Sequence, residues 1–475
     1  MNAERKKSPI GVLFLTVFVD LVGFSIIFPL FPDMLEHYAG ADSFFGGLIA
    51  NLAELSGEQG EKRDFYTTVL FGGILGSLYS ILQFLFAPMW GRLSDRIGRR
   101  PVLLMTIGGL CVSYLVWIFS DSFLLLIISR VLGGAMGGNI SVATAAMADS
   151  TDEKNRAKGM GMIGMAFGLG FILGPAIGAL LSSIDLSGYS PEAAMSLPWL
   201  NPFSVAAAGA FLLSLWNLSW VMRSFKESLP EENRGKAHQA GRPVNPLKLF
   251  RGFDLPGVSR TNLVYFIFLV AFAGMEFTLT FLAKDRFKYD SHDMMWIFIF
   301  VGLIIALVQG GVVRRMAPKM GEKKVSLYGL ALLVPGLLVT GTAGSEGLFY
   351  LGLAFLAVGS ALATPCLTAL ASLYTPADRQ GEVLGTFRSL GALARAVGPI
   401  LACAAYWKLG SDWPYYGATA LVLLPILLAL GLPAVPGRKV AADDPATGTA
   451  EEPAEEAPAE EDTGKAEAPE ESDVS

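Results

Sequence analysis

The chain has 475 residues, of which 52% are hydrophobic and 16% are charged, against about 25% charged residues in an ordinary soluble domain. This composition excludes a soluble globular protein of this size, because its surface would need more polar residues. The net charge of −6 does not describe the whole chain, since acidic residues concentrate after residue 441 and the remainder is net basic.

The apolar residues fall in blocks along the chain. Residues 9–31 contain one charge, Asp20, and residues 202–221 contain none. Each block provides the ~20 apolar residues with which a helix crosses a bilayer core of ~30 Å. We therefore predict an all-α membrane protein with twelve transmembrane helices, and a solvated acidic loop between Asp33 and Asp64. The predicted spans are 9–33, 66–90, 101–120, 122–148, 158–183, 202–225, 261–284, 294–316, 323–343, 347–374, 382–408 and 413–433.

Basic residues are unevenly distributed over the connections between the predicted spans. Lys and Arg cluster before span 1 and after spans 2, 4 and 6, whereas residues 184–200 carry two acids and no base. Short basic connections generally face the cytoplasm, so both termini are predicted to be cytoplasmic. The few cysteines and the lack of a recognisable targeting signal favour a bacterial inner membrane.

A polar segment divides the predicted spans into two groups of six. We expect an N-terminal six-helix half (1–225), a cytoplasmic central loop (226–259) and a C-terminal six-helix half (260–434). The acidic tail (435–475) has almost no large apolar residues, so we expect it to be disordered.

The two halves resemble sequence repeats. Residues 151–175 align without gaps onto residues 375–399, and both segments end in Gly-Pro inside an apolar helix. Glycine-rich apolar helices can align by chance, but the shared order of loop and Gly-Pro favours a true repeat. Such repeats are typical of secondary transporters, in which substrate binds near the bilayer midplane between the repeats.

The connection between spans 2 and 3 carries the sequence Gly-Arg-Leu-Ser-Asp-Arg-Ile-Gly-Arg-Arg-Pro at residues 91–101. It resembles the signature of the major facilitator superfamily at every defined position. In that family the motif holds the two halves together at the cytoplasmic side in the outward-facing state, with an acid in span 4 as partner. A plain basic loop is the alternative, but it would not need Asp95 or the two glycines. The predicted gating residues are Gly91, Asp95, Arg96, Gly98, Arg99, Arg100 and Asp149.

Further segments resemble the drug:proton antiporter branch of this superfamily, which contains the tetracycline exporters. They include residues 20–23 and 29–32 of span 1 and the glycine pattern of span 5. Residues 274–279 and 385–395 are similar to an animal tetracycline-transporter-like group, which implies organic-anion transport. Glycines four residues apart allow close packing of membrane helices. The predicted helix-packing residues are Gly170, Gly174, Pro175, Gly178, Gly398 and Pro399.

Several ionisable side chains lie inside predicted spans, where each costs ~2.5 kcal/mol or more. Asp20 and Glu276 are the proton-carrier candidates, because a carboxylate in a bilayer is costly to keep charged; a structural hydrogen bond is the alternative. Arg130 matches a family position implicated in proton transfer, and pairing with a backbone carbonyl is the alternative. Arg395 and Arg388 lie on one helix face and are predicted to bind an anion, although Arg395 could instead pair with Asp20 or Glu276. Arg388 lies nearer the cytoplasm and could instead extend to the membrane surface or join the motif. Weaker candidates for the substrate cavity are Gln83, Asn139 and Gln309.

These features favour a secondary transporter that exchanges or exports an amphipathic organic molecule, with an anion expected, against protons. An uncoupled facilitator, a symporter and a transporter-like receptor are the alternatives. We predict no enzyme activity, because no nucleophile–base pair or metal cluster is recognisable. No metal, cofactor or nucleic acid is expected, and the predicted partners are a small organic substrate, protons and the lipid bilayer, with the protein as a monomer.

Overall fold

The computed structural model describes residues 9–41, 43–54, 61–151, 153–189, 200–234, 252–376 and 379–435. All regular structure in these ranges is helical. The acidic tail from residue 436 onwards and most of the central loop lie outside them. The helices are Pro9–Ser25, Phe28–Leu30, Phe31–Ala41, Ser43–Ala53, Glu61–Ile97, Arg99–Ile118, Phe123–Met136, Asn139–Asp149, Glu153–Ser182, Leu186–Tyr189, Ser204–Ser224, Glu231–Asn233, Val258–Phe287, Ser291–Leu307, Val308–Val313, Arg314–Met320, Glu322–Thr342, Glu346–Leu373, Gln380–Leu409 and Trp413–Leu430.

Within the described residues, twelve segments are long and apolar enough to cross a bilayer. This finding confirms the prediction of an all-α protein with twelve transmembrane helices. Numbered in chain order, spans 1–12 are Pro9–Gly40, Lys62–Ile97, Arg99–Ile118, Phe123–Asp149, Gly161–Ser182, Ser204–Ser224, Val258–Phe287, His292–Met320, Glu322–Thr342, Glu346–Leu373, Glu382–Leu409 and Trp413–Leu430.

The segment between Asp33 and Asp64 differs from the predicted solvated loop. Helices Phe31–Ala41 and Ser43–Ala53 occupy most of it. Met34, Leu35 and Tyr38 are buried in the apolar core between the spans. The prediction was wrong because it weighed the acidic residues and overlooked the helical spacing of these apolar side chains.

Three spans are interrupted, and each interruption has a local cause. Span 1 changes from α-helix to a short 3₁₀ turn at Phe28–Leu30, where Pro29 lacks the N–H that a continuous helix requires. Span 4 breaks at Gly137 and Gly138, and the Trp90 ring occupies the space of a side chain at Gly138. Span 8 contains a π-helical turn at Val308–Val313, a feature frequent at functional sites.

The same glycine crossing occurs in both groups of six spans. In the first group, a Cβ atom on Gly174 or Gly178 would overlap atoms of span 1. In the second group, a Cβ atom on Gly398 would lie 2.6 Å from the carbonyl oxygen of Val270 in span 7. Spans 5 and 11 therefore pack on spans 1 and 7 by backbone contact, at equivalent positions of the aligned repeats.

The first and last six spans meet through glycines at one end of the bundle. We call the end that carries residues 91–101 the motif end, and the other the opposite end. Near the opposite end, a Cβ atom on Gly73 would lie 2.6 Å from Cys403 Cβ, and one on Gly76 would lie 2.5 Å from Phe277 Cε2. Spans 2, 7 and 11 thus form a tight contact that we call the glycine seal.

Polar contacts lie beyond the glycine seal, at the opposite end itself. Lys284 in span 7 pairs with Asp33 at 2.5 Å and with Glu36, both in span 1. The Trp407 indole of span 11 donates a hydrogen bond to Thr67 of span 2 at 3.2 Å. These contacts connect the two groups of spans and close this end of the bundle.

The crossing of spans 1 and 5 gives a direct stability test. The Gly178→Ala variant should lower the free energy of unfolding by about 1–3 kcal/mol, because the added methyl group overlaps the Ile26 carbonyl in a packed interface. Thermal unfolding of the detergent-purified protein measures the effect. Gly164→Ala is the matched control, since nothing lies within 4 Å of its Cβ position; equal melting temperatures for the two variants would contradict the packing argument.

Candidate transport site

The motif between spans 2 and 3 is built around Arg99. Its guanidinium pairs with Asp95 at 2.5 Å and with Asp149, at the end of span 4, at 2.8 Å. It also donates a hydrogen bond to Ser94 Oγ at 2.6 Å. The helix of span 2 ends at Ile97, so Asp95 and Arg99 do not share a helix; the turn between the two helices brings them together.

That turn requires Gly98 and a residue that the sequence analysis missed. Gly98 has a φ of 106°, a backbone conformation that favours glycine. The Glu227 carboxylate accepts hydrogen bonds from the backbone N–H groups of Arg99 at 2.9 Å and Arg100 at 3.1 Å. Glu227 therefore caps the N-terminus of span 3 from the segment after span 6. No spacing rule links residues so distant in the chain.

The remaining motif residues have different surroundings. Gly91 is buried and its carbonyl accepts a hydrogen bond from Ser94, whereas the Arg96 side chain is exposed. Arg100 donates to the carbonyl oxygen of Met222 at 2.8 Å. Arg99 is thus the arginine of this motif that joins spans 2, 3 and 4 by ion pairs.

Asp20 is buried near the middle of span 1 between two amide side chains. Asn217 of span 6 donates to Asp20 Oδ1 at 3.0 Å, and Asn139 of span 4 donates to Asp20 Oδ2. Asn139 is one of the predicted substrate-cavity residues, whereas Asn217 was not predicted from the sequence. A polar residue in the apolar block 202–221 was the available signal for Asn217.

Arg130 is buried in span 4. Its guanidinium carbon lies 4.9 Å from the centre of the Trp117 ring, and one nitrogen donates to Ser129 Oγ at 3.1 Å. No carboxylate of the described chain lies within ion-pair distance of Arg130. A cation–π contact of this kind partly offsets the cost of burying the charge.

Two small cavities lie between the first and last six spans, each of about 20 Å³. This volume holds about one water molecule, so an organic molecule requires the spans to move apart. Asp20 lines the first cavity and Glu276 lines the second, while Arg395 lines both. The aromatic residues of the two linings are Phe24, Phe28, Tyr79, Phe167, Phe171 and Phe277.

Arg395 stacks on aromatic rings in this region. Its guanidinium carbon lies 4.5 Å from the centre of the Phe171 ring and 5.9 Å from that of Phe167. Among the ion pairs of the described residues, none joins Arg395 to Asp20 or Glu276. The alternative in which Arg395 is held in an internal salt bridge is therefore not realised in this conformation.

The other three predicted substrate residues have different surroundings. Arg388 lies nearer the motif end, where it donates to Thr144 of span 4 at 2.5 Å. Gln309 lies 3.6 Å from the Cβ position of Gly168 and belongs to neither cavity lining. Gln83 does line the first cavity, but its amide also donates to Gly137 at the break in span 4. All three stay predicted substrate residues, and the contact of Arg388 fits the position nearer the cytoplasm that the sequence also allowed.

The twelve spans, the buried charges at mid-depth and the central cavities define a polytopic membrane transporter. The family profile described as Major Facilitator Superfamily matches residues 13–399 and 315–461. The chain belongs to this superfamily, and it is a transporter rather than an enzyme.

Related proteins cover nearly the whole chain. Major facilitator superfamily domain-containing protein 10 of Bos taurus is 38% identical over 90% of this chain and 93% of its own length. The Homo sapiens protein of that name is 37% identical over 88% and 92%. The tetracycline resistance protein, class C, of Escherichia coli is 28% identical over 89% and 97%.

Solved structures agree on the fold. The crystal structure of the human organic anion transporter MFSD10 (TETRAN) has a TM-score of 0.70 and 35% identity, covering 90% of this chain and 100% of that chain. A D-xylose-proton symporter has a TM-score of 0.67 at 16% identity, covering 91% and 99%, which supports the fold alone.

The ion pairs of Arg99 can be tested by substitution. The Arg99→Leu variant should lose about 3 kcal/mol of stability, because two carboxylates lose a buried partner. Thermal unfolding in detergent measures the loss. Arg96→Leu is the matched control on the exposed side of the same motif. A melting temperature of Arg99→Leu equal to that of Arg96→Leu would contradict a structural role for the pair.

Proposed function

We propose that this protein is a proton-coupled exporter or exchanger of amphipathic organic anions that works by alternating access. The observation that carries the proposal is the position of Arg395 between two central cavities, with Asp20 on one lining and Glu276 on the other. One fixed cation that lines both cavities, with a carboxyl group on each lining, provides both an anion site and a route for exchange against protons.

The lining around Arg395 suits an amphipathic anion. Arg395 is the one base among the residues lining the two cavities, and an arginine fork binds carboxylate or sulfonate oxygens by two hydrogen bonds. Phe24 and Phe28 of span 1 and Phe277 of span 7 lie around it. Rings of this kind accept the apolar part of a substrate by edge or offset stacking.

In the proposed exchange, the two carboxyl groups bind and release the protons. A carboxyl group within a bilayer is costly to keep charged, so Asp20 and Glu276 can carry protons. In this exchange they carry a proton in one direction while the anion moves in the other. Asp20 lines the first cavity and is held by amides, and Glu276 of span 7 lines the second cavity. The roles of Asp20, Glu276 and Arg130 in coupling are part of this proposal.

The relatives support the class of substrate. A crystal structure at 35% identity is that of a human organic anion transporter, and several tetracycline resistance proteins match at 27–29% identity. Both names fit a carrier of amphipathic molecules. They do not distinguish antiport from symport or uncoupled transport, which the experiment below separates.

The proposal includes an orientation and a domain plan. We place the motif end and both termini in the cytoplasm by the distribution of basic residues. The glycine seal then closes the outer side, which corresponds to an inward-facing conformation. The two six-helix halves (1–225 and 260–434) are proposed to move relative to each other about the site. The protein is proposed to work as a monomer. The bacterial inner membrane stays a prediction, because relatives at 36–38% identity are animal proteins.

The decisive experiment is anion flux in proteoliposomes with and without an imposed pH gradient. Wild-type flux of an aromatic carboxylate should follow the gradient. The Asp20→Asn variant should lose this dependence, since an amide cannot exchange a proton. Arg395→Ala should reduce flux about tenfold or more at low substrate concentration, because a charged hydrogen-bond donor is lost.

The controls separate the alternatives. Arg314→Ala removes an exposed arginine of span 8 and should leave flux unchanged. Wild-type flux that ignores the gradient would replace the antiporter with a facilitator, and flux that rises when protons and anion enter together would indicate a symporter. Binding without flux of any anion or cation would indicate a receptor.

The outer ion pairs should bias the conformational equilibrium. In Lys284→Gln the pairs with Asp33 and Glu36 are lost, and exposed pairs of this kind contribute about 0–1 kcal/mol each. Spin labels at Lys62→Cys and Glu346→Cys, both exposed near the opposite end, should then report a larger population of long distances. The three native cysteines are buried, which limits background labelling. An unchanged distance distribution would exclude a role of Lys284 in closure.

A further inference from the structure

Asn217 holds Asp20 with one end of its amide and leaves the other end unused. Its Nδ2 donates to Asp20 Oδ1 at 3.0 Å and to the carbonyl oxygen of Thr16 at 3.3 Å. Its Oδ1 is buried and has no hydrogen-bond partner in the described structure. An unsatisfied buried acceptor costs about 1–3 kcal/mol of stability. A role in the titration of the neighbouring Asp20 would explain why this acceptor is unsatisfied.

Asn139, the second amide at Asp20, has hydrogen-bond partners for both its nitrogen and its oxygen. Asn139 donates to Asp20 through Nδ2, while its Oδ1 accepts from the backbone N–H of Ile140 at 2.8 Å. Turning this side chain over would break the contact with the start of its own helix. Of the two amides, Asn217 is the one with a vacant acceptor.

The two protonation states of a carboxyl group need different partners. A carboxylate only accepts hydrogen bonds, whereas a carboxylic acid also donates one. Asp20 has two amide donors, which suit its charged form. When Asp20 gains a proton, its new O–H needs an acceptor, and an amide provides one when its side chain turns by half a rotation.

We propose that Asn217 is a positioning residue that reads the protonation state of Asp20: its Nδ2 donates to the carboxylate, and its Oδ1 accepts from the carboxylic acid after the amide turns. The inference deepens the proposed function and rests on it, since it requires Asp20 to take up a proton. The turn of the amide couples proton uptake by Asp20 on span 1 to span 6, because the turned Asn217 side chain loses its hydrogen bond to the Thr16 carbonyl of span 1.

Other groups around Asp20 stay unchanged in this step. Spans 5 and 6 carry no titratable residue at 159–183 and 204–222, so their faces contribute none. The titratable or charged groups that face Asp20 from the remaining spans are Tyr79 of span 2, Cys111 and Tyr114 of span 3, Arg130 of span 4 and Arg395 of span 11.

Infrared difference spectroscopy tests the amide turn in the unmutated protein. Spectra of proteoliposomes at acidic minus neutral pH are compared with and without ¹³Cγ-labelled asparagine. We expect an asparagine side-chain carbonyl band that shifts with the label and is absent from Asp20→Asn. The absence of any label-sensitive band in the wild type would overturn the proposal without depending on a variant that folds.

Substitution of Asn217 assigns the infrared band to this residue and distinguishes a positioning role from a purely structural one. Asn217→Leu should abolish the band and reduce the maximal transport rate about tenfold, with an unchanged KM, because Asn217 lines neither cavity. Added to Asp20→Asn, it should cause no further loss. Asn262→Leu is the matched control, since Asn262 is also buried with an unpartnered Oδ1, and it should keep the band.

The outcomes distinguish this inference from the proposed function. If Asp20→Asn retains full pH-coupled flux, coupling through Asp20 fails and the inference fails with it. If Asp20→Asn loses coupling while Asn217→Leu keeps the band or matches Asn262→Leu in rate, only the role of Asn217 is overturned. A raised KM in Asn217→Leu would also overturn it, in favour of a substrate contact.

Discussion

A charged side chain inside a bilayer must find its partners within the protein, and this constraint organises the interior of the molecule. Asp20 is satisfied by amides from spans 4 and 6. Arg130 and Arg395 rest on aromatic rings. Amides and rings stabilise a charge without neutralising it, so these groups keep the capacity to respond to a proton or an anion. Arg99, at the membrane edge, is instead neutralised by two carboxylates.

The glycine crossings explain how such a site can move without unfolding. Span 5 touches span 1 through Gly174 and Gly178, and span 11 touches span 7 through Gly398. Backbone contact of this kind is well packed and resists deformation. In the proposed alternating-access cycle each group of six spans rotates as a body, while the contacts between the groups, which include the glycine seal, change.

The sequence predicted the parts of the fold that depend on local pattern. Apolar block length determined the twelve spans, and the signature at residues 91–101 identified the superfamily. The pairing of Asp20 with Asn217 was not predictable, because it joins residues 197 positions apart and no periodicity encodes such a contact. The capping role of Glu227 was missed for the same reason. The position of Gln309 outside the two cavity linings was not predictable either, because rotation about the helix axis depends on the neighbouring spans.

The glycine seal has a consequence for the energy balance of the cell. Gly73 and Gly76 bring the backbone of span 2 against Cys403 and Phe277 so closely that even a methyl group would not fit. A chain of water molecules, along which protons hop, has no path through such a contact. In the proposed proton-coupled cycle, the carboxyl groups can thus face one compartment without leaking protons to the other, and the electrochemical gradient is spent only when cargo moves.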